Sequence, residues 1–420
     1  RQRQMCIRDR AISGDIRSTT PNLINCFKKG ILDTGIDIIN LGIIPTPVNY
    51  YSMFELGIFA AVQITGSHNP PEYNGFKFSL DKKPYFGAEI QNLYNIIKIN
   101  DYEKGEGSEA RFKILKKYQD MIVEKINIRK PMKLVMDCGN ATASINSPQI
   151  FRALGIEVKE LFCEPDSSFP NHHPDPTVEK NLKDLVDEVK KDNYDLGIAF
   201  DGDGDRVGVV DENGHIIWSD QLLSLFLPEI IKNGEDILFD VKCSKSLEDM
   251  VLRYGGNPIM WKTGHSLIKE KMMELDCKLG GEMSGHIFFA DDYFGYDDAT
   301  YVAARLVQLL SNTDKKLSEL TSEIPVYYST PELRMEAEND SEKFRITDEA
   351  VKYFSSLYDC ITIDGVRIKF KDGWGLVRAS NTQPVIVCRF EANSTEKKDE
   401  IQNLILNKLK EFGQLKLEEH

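Results

Sequence analysis

Three times along this chain a short apolar run stops at a glycine-rich polar loop, and that repetition limits the fold more than any bulk property does. Gly57-Ile58-Phe59-Ala60-Ala61-Val62 leads to Ile64-Thr65-Gly66-Ser67-His68-Asn69-Pro70-Pro71. Leu196-Gly197-Ile198-Ala199-Phe200 leads to Asp201-Gly202-Asp203-Gly204-Asp205-Arg206, and a third block delivers Gly280-Gly281-Glu282-Met283-Ser284-Gly285-His286. Apolar runs this short, uncharged and bounded by turn residues read as buried strands. Helical spacing fills much of the text between them, and strands alternating with helices build an α/β fold on parallel or mixed sheets. Ligands in open sheets of this kind bind at strand ends, where these loops lie.

A chain of 420 residues exceeds one ordinary core, and the text reads as four units with boundaries at 1–112, 113–214, 215–325 and 326–420. In the first, the spacing predicts a helix over 21–33, a strand over 36–44 and a second helix opened by Pro45-Thr46-Pro47; the polar, glycine-containing stretch 99–110 reads as a linker. The second carries strands at 133–137, 156–158 and 196–200 with helices at 118–126 and 178–189. The third alternates helices at 221–231 and 247–254 with strands at 236–241 and 258–261. The fourth is richer in strands, at 366–370, 375–378 and 385–390, and closes with an amphipathic helix over 397–412, an α+β arrangement.

The net charge of −14 argues against nucleic acid as a partner, because backbone phosphates require a basic face. An anionic small substrate then needs a local cluster of cations and N–H groups. No apolar run approaches the roughly 18 residues of a membrane helix, and Arg1 to Arg10 lack the apolar core of a secretory signal. The expectation is a cytoplasmic monomer. Its eight cysteines, with no C-x-x-C pair, read as buried or free thiols in a reducing compartment without a zinc site.

Four loops carry chemistry. Thr65 to Pro71 cannot continue a strand or a helix, so Ser67 is held out on a stiff turn beside His68 and ten residues before Lys77. That suits a covalently loaded nucleophile or phosphate carrier; a rigid polar turn is the plainer reading of the Ser-His pair alone. Asp201, Asp203 and Asp205 can converge three hard oxygens on one Mg²⁺, with Arg206 in reach of a phosphoryl group. An EF-hand is the rival, with Glu212 at its twelfth position; Arg206 stands where that motif needs glycine, and the flanks read as strands. Glu282 and Ser284 alternate along an extended segment and so can face two neighbouring hydroxyls, a glycine-rich hairpin being the alternative. Lys262-Thr263-Gly264-His265-Ser266 and Lys242 add to the same cleft. Arg378-Ala379-Ser380-Asn381-Thr382-Gln383-Pro384 offers a phosphate cradle, or a capped turn.

TGSHNPPEYNGFK, DGDGDR, WKTGHS, GEMSGH and RASNTQP, in that order from about residue 11 onward, resemble the α-D-phosphohexomutase family in its phosphomannomutase/phosphoglucomutase branch. The resemblance implies three α/β domains and a C-terminal domain around one cleft. It implies a phosphoserine at Ser67 and Mg²⁺ held by Ser67, Asp201, Asp203 and Asp205. Sugar hydroxyls would be read by Glu282 and Ser284, with His286 and the segment Thr263, Gly264, His265 beside them, and the substrate phosphate by Arg378, Ser380, Asn381 and Thr382. His68, Lys77, Arg206 and Lys242 are then candidates for proton handling and charge neutralisation. The implied activity exchanges hexose 1-phosphate and hexose 6-phosphate through a 1,6-bisphosphate, with glucose or mannose 1,6-bisphosphate as activator. The family's opening strand, with its tyrosine and phosphate-contacting arginine, has no counterpart here. Asp15-Ile16-Arg17 resembles it in letters but aligns with a later segment. A truncated first domain with an exposed sheet region and impaired activity is expected, and a Mg²⁺-dependent sugar phosphatase or an inactive sugar-phosphate binder are the alternatives.

Overall fold

The structure is a computed structural model that describes residues 9–100, 102–380 and 383–417. It divides into two compact units, Arg1–Ile230 with Lys269–Glu323, and Ile231–Ile268 with Ile324–His420.

In the first unit, β1 (Arg10–Gly14), β2 (Ile38–Ile43), β3 (Ala60–Ile64), β4 (Phe76–Leu80), β5 (Lys83–Tyr85) and β6 (Glu109–Arg111) form one mixed sheet in the order β5-β4-β3-β1-β2-β6. β1 is parallel to β2 and β3, whereas β4 and β5 turn back antiparallel. The helix Thr20–Leu32 lays Ile24 on Ile12, Ile38, Val62 and Ile64. Helix Thr46–Glu55 carries Pro47 in its first turn, where no N–H partner is needed, and its residues from Thr46 to Met53 are all buried. β3 begins at Ala60 rather than at Gly57, because Gly57 adopts φ +64°, which an extended strand cannot contain. The predicted linker is not free either. Gly105 bridges Thr34 and packs so closely on Gly35 that a Cβ would meet its Cα at 2.7 Å, and Glu109–Arg111 joins the sheet beside β2.

A second mixed sheet in this unit contains β7 (Lys133–Asp137), β8 (Glu157–Leu161), β9 (Leu196–Phe200), β10 (Val207–Asp211) and β11 (Ile216–Ile217), in the order β11-β10-β9-β7-β8. Leu185 and Val189 from the helix Lys183–Val189 pack on Val135, Ala199 and Val210.

In the second unit β12 (Asp236–Asp240) and β13 (Asn257–Trp261) pair in parallel. Back in the first unit, β14 (Leu279–Gly281) and β15 (Ile287–Phe289) form an antiparallel hairpin.

The rest of the second unit is an antiparallel sheet of β16 (Tyr328–Ser329), β17 (Leu333–Glu336), β18 (Cys360–Ile361), β19 (Val366–Lys369), β20 (Gly373–Ala379), β21 (Val385–Ala392) and β22 (Lys416–Leu417). Helices Asp340–Ser355 and Thr395–Phe412 supply Ile346, Phe354, Ile405 and Leu409 to its core. Trp374 and Leu376 from β20 pack instead on Val241. The fold class is α/β with an α+β C-terminal portion, as the sequence predicts. Among the described residues no helix is long and apolar enough to cross a membrane.

Asp298 caps the helix Ala299–Ser311 by accepting from the Tyr301 amide, and it also accepts hydroxyl bonds from Tyr118 at 2.7 Å and Tyr293 at 2.6 Å. Burial pushes its carboxyl up to about 6 from the usual 3.8, against those hydrogen bonds. The folded protein therefore holds this proton more tightly than the unfolded chain does. The resulting stability is present below pH 3.8 and is lost as pH rises through 6. Relative to Asp298→Asn, urea denaturation of the native protein should lose about 2 kcal/mol between pH 4 and pH 7.5; a flat difference would show that Asp298 keeps an ordinary carboxyl.

Candidate active site

The serine loop leaves the carboxyl end of β3 and is shaped from within by two residues at the neighbouring end of β1. Asp15 accepts from the Thr65 hydroxyl at 2.8 Å, the Gly66 amide at 3.0 Å and Arg17 Nε at 3.1 Å. Arg17, 1% exposed, donates to the carbonyls of Ser67 at 2.7 Å, Asn69 at 2.6 Å, Tyr73 at 3.1 Å and Pro70. Ser67 itself sits at φ +47°, a left-handed conformation uncommon for serine, and its amide is held by the Thr65 hydroxyl. Its Oγ is thereby presented outward from the loop, 3.0 Å from Asp201 Oδ2 and 3.4 Å from His68 Nδ1.

The acidic loop is equally constrained. Asp201 Oδ1 accepts from the amides of Gly204, Asp205 and Arg206, which curls the loop so that all three aspartates are fully buried around one point. Asp203 Oδ2 accepts from Thr46 at 2.5 Å and from Lys77 Nζ at 2.7 Å, and Lys77 also reaches Asp205 Oδ2 at 2.5 Å. Carboxylate oxygens of Asp201, Asp203 and Asp205 lie within 4.8 Å of one another, and Asp203 Oδ1 and Asp205 Oδ1 are buried with no hydrogen-bond partner. Orphaned hard oxygens at that spacing fit a small divalent cation.

The electrostatics follow from this crowding. Burial, then Asp205 and Asp203, drive the Asp201 carboxyl well above its usual range. Burial and then Asp203 raise Asp205. Burial also pushes Asp203 upward, but the Lys77 ammonium reverses that and holds it below the usual range. Lys77 pays for its burial with these two carboxylates and stays protonated. The Arg206 charge, followed by burial, pushes His68 down to about 3, so its ring is neutral at physiological pH.

Arg206 Nε donates to His286 Nε2 at 2.8 Å, and His286 Nδ1 lies 2.9 Å from Asp297 Oδ2. Asp297 in turn pairs with Lys269 at 2.8 Å, whose ammonium also reaches the Tyr50 hydroxyl. Glu282 and Ser284 do not alternate on an extended segment. They lie on the turn between β14 and β15, where Gly285 at φ +96° reverses the chain and the Glu282 amide donates to the His286 carbonyl. Glu282 is buried, with its carbonyl accepting from the Ser219 hydroxyl, and Ser284 is half-buried.

The first unit thus gathers Ser67, His68, Lys77, Asp201, Asp203, Asp205 and Arg206, together with His286 through Arg206. A second cluster stands in the other unit. Asp364 Oδ2 accepts from the Thr263 amide at 3.0 Å and from Arg378 Nε at 2.9 Å, while Arg378 Nη2 is buried without a partner. Lys343 donates to the carbonyls of Ser380 and Gln383. Gly264, at φ +139°, and half-buried His265 open the helix His265–Leu275. Lys242 is paired with Glu332 at 2.9 Å. Asn381 and Thr382 lie outside the described residues.

Sequence reading sets Asp15-Ile16-Arg17 aside as a likeness in letters that aligns with a later segment and gives it no role, whereas Arg17 engages the loop carbonyls. It passes over Thr46, Lys269, Asp297, Asp364 and the string Asn171-His172-His173-Pro174-Asp175, from which His173 Nε2 reaches the His68 carbonyl. Dense histidine, proline and aspartate after a strand was the available signal for the last of these.

The chain matches four family descriptions in succession: phosphoglucomutase/phosphomannomutase alpha/beta/alpha domain I over residues 8–104, domain II over 116–214, domain III over 218–328 and the C-terminal domain over 330–408. A phosphomannomutase/phosphoglucomutase of Pseudomonas aeruginosa strain PAO1 is 46% identical over 404 residues, 95% of this chain and 87% of that relative. A phosphoglucomutase of Neisseria meningitidis serogroup A is 41% identical over 399 residues, 94% of this chain and 86% of that one. Among solved structures, a phosphoglucomutase/phosphomannomutase family protein from Burkholderia thailandensis superposes with a TM-score of 0.91 at 39% identity, covering 98% of this chain and 92% of its own.

A Cβ at Gly202 would meet the Ser67 carbonyl oxygen at 2.2 Å, a backbone atom that cannot swing away. Gly202→Ala should cost about 1–3 kcal/mol in urea denaturation and, in a crystal structure of the variant, part Ser67 Oγ from Asp201. Gly30→Ala, inside the helix Thr20–Leu32 with open space around it, should be neutral or stabilising. Equal behaviour of the two variants would show that the close approach of the loops is not tight.

Proposed function

Because the chain belongs to the phosphoglucomutase/phosphomannomutase family, we propose that it interconverts hexose 1-phosphate and hexose 6-phosphate, of mannose or glucose, with Ser67 as phosphoryl carrier. The observation that carries this reading is the 3.0 Å contact between Ser67 Oγ and Asp201 Oδ2 beside two buried aspartate oxygens that accept no hydrogen bond. A phosphate on Ser67 would then share one cation with the acidic loop. Ser67, Asp201, Asp203 and Asp205 would hold Mg²⁺. When bound, the ion neutralises charge that develops on the transferring phosphoryl group.

The reaction under this reading moves one phosphoryl group out and one back. The phosphate of Ser67 passes to the free hydroxyl of the substrate, whose proton leaves, giving a 1,6-bisphosphate; the other phosphate then returns to the Ser67 oxygen and the isomeric monophosphate departs. A glucose or mannose 1,6-bisphosphate is the activator because it can load Ser67 directly. Lys77 and Arg206 offset the phosphoryl charge, and neutral His68, 3.4 Å from Ser67 Oγ, is able to accept a proton there. Glu282, Ser284 and His286 read sugar hydroxyls. Arg378, with a spare buried N–H pair, anchors the remaining phosphate together with Ser380, Asn381 and Thr382, and Lys242, Thr263, Gly264 and His265 complete that binding surface. The enzyme works as a cytoplasmic monomer on small phosphorylated sugars, without nucleic acid or membrane. The names of the relatives lend nothing to a phosphatase reading.

Incubation with glucose 1,6-bisphosphate and Mg²⁺ should add one phosphate to the intact mass, absent in Ser67→Ala, and should start exchange between glucose 1-phosphate and glucose 6-phosphate. Release of inorganic phosphate with no isomerisation would overturn the proposal. Asp203→Asn should lose Mg²⁺ binding by calorimetry and lower kcat by at least ~10³ with its far-UV spectrum unchanged. Arg378→Ala should raise KM more than it lowers kcat, since a phosphate anchor acts in ground and transition states alike.

A further inference from the structure

β7 and β8 are parallel neighbours with Asp137 opposite Leu161, so the residues that leave their carboxyl ends run side by side. The Cys138 amide donates to the Leu161 carbonyl at 3.2 Å, and the sulfurs of Cys138 and Cys163 are 3.0 Å apart. Cys163 Sγ also lies 3.3 Å from the Leu161 carbonyl and 3.6 Å from that of Met136. Both thiols are free. A disulfide closes at about 2.05 Å, so about 1 Å of sulfur movement separates this pair from a bond. Two reactants already in contact gain the advantage of an intramolecular reaction.

Access differs between the two. Cys163 is half-buried, whereas Cys138 is 0% exposed. We propose that Cys138 and Cys163 are a modification site, a dithiol that a hydroperoxide or a small disulfide closes into an intramolecular cross-link. With hydrogen peroxide, Cys163 attacks one oxygen, the O–O bond breaks, and a sulfenic acid and water are formed. Cys138 Sγ then attacks the sulfenyl sulfur and displaces the oxygen as a second water. The two thiols lose two hydrogens and two electrons, and one peroxide is reduced. With a small disulfide, two exchanges release its two thiols instead.

Burial, and then the neighbouring Cys163, hold the Cys138 thiol well above the ordinary cysteine range. Thiolate supply at Cys138 therefore limits the second step. What the cross-link fixes is the base of the loop from Cys163 to Asp175. Asn140 holds that loop at the Glu164 carbonyl and the Asp166 amide, His172 leans on Asp137, and His173 reaches the carbonyl of His68 beside the serine. The oxidant thus acts on the support of the Ser67 loop while leaving the site residues themselves unmodified.

The test uses the full chain, folded and without denaturant, treated with hydrogen peroxide or oxidised glutathione, then alkylated and mapped by peptide mass spectrometry. The expected product is one peptide pair linked through residues 138 and 163, with a loss of two hydrogens. It should form at least tenfold faster than any product at exposed Cys26 that involves a second cysteine. Cys163→Ser should leave Cys138 alkylatable after unfolding and yield no cross-link. Cys138→Ser should instead trap Cys163 as a sulfenic acid or a glutathione adduct. The oxidised native chain should melt a few degrees higher than the reduced chain, because the ring removes freedom from the unfolded state without straining the folded one, and Cys163→Ser should show no such rise. Full alkylation of both thiols after prolonged oxidation, conversion of Cys163 to a sulfinic acid with Cys138 free, or a cross-linked chain whose melting temperature fails to rise would each overturn the proposal.

Discussion

The interaction on which the site depends is the burial of one guanidinium, that of Arg17, under the serine loop. Arginine offers five N–H donors in a fixed fork, and here every one is engaged, Nε with Asp15 and the others with four carbonyls of the loop. A loop of prolines and small polar residues has few side chains with which to define its own shape. Its carbonyls converge on a planar cation instead, and that convergence forces Ser67 into a left-handed backbone with its hydroxyl outward. A lysine would bring three donors from a single point and could not span the same set. Leaving those carbonyls unpaired in a buried setting would cost about 1–3 kcal/mol apiece, so the clamp and the loop conformation stand or fall together.

Facing that loop is an arrangement that would be untenable without compensation. Three buried carboxylates within 4.8 Å repel one another, and each is handled by a different device. Asp201 is absorbed by three backbone amides, Asp203 by Lys77 and Thr46, and Asp205 by Lys77 with His286 Nδ1 3.6 Å from its other oxygen, while Asp203 Oδ1 and Asp205 Oδ1 accept no hydrogen bond. The Arg206–His286 contact extends the same logic. Because arginine Nε can only donate, His286 Nε2 must accept, which places the imidazole proton on Nδ1 towards Asp297. One ring tautomer is selected by residues some eighty positions apart in sequence.

Periodicity and turn chemistry made the sheets and most helices legible, since these depend on local spacing. The errors lie where a contact between distant residues decides the outcome. The stretch 99–110 reads as a linker from composition, yet Gly105 and β6 are bound by close packing on Gly35 and by pairing with β2. Glu282 and Ser284 read as alternating neighbours, yet Gly285 turns the chain between them and β15. The aspartate triplet is local, so its convergence was legible, as was the placing of Ser67 on a stiff turn at a strand end. Arg17, Thr46, Asp297 and Asp364 were not, because each is a supporting partner whose role appears only once another strand end is brought beside it.

The second compact unit is assembled from two separated stretches, with Lys269–Glu323 between them belonging to the other unit. Within it, Trp374 and Leu376 of the C-terminal sheet are covered by Val241, and Arg367 stacks 3.6 Å above the Trp374 ring while donating to the carbonyls of Val241 and Cys243. Folding of this unit cannot be completed by its last hundred residues as they leave the ribosome. The earlier stretch, synthesised well before them, must be held available across the insertion until the later one arrives, so order of synthesis and order of assembly are uncoupled in this third of the molecule.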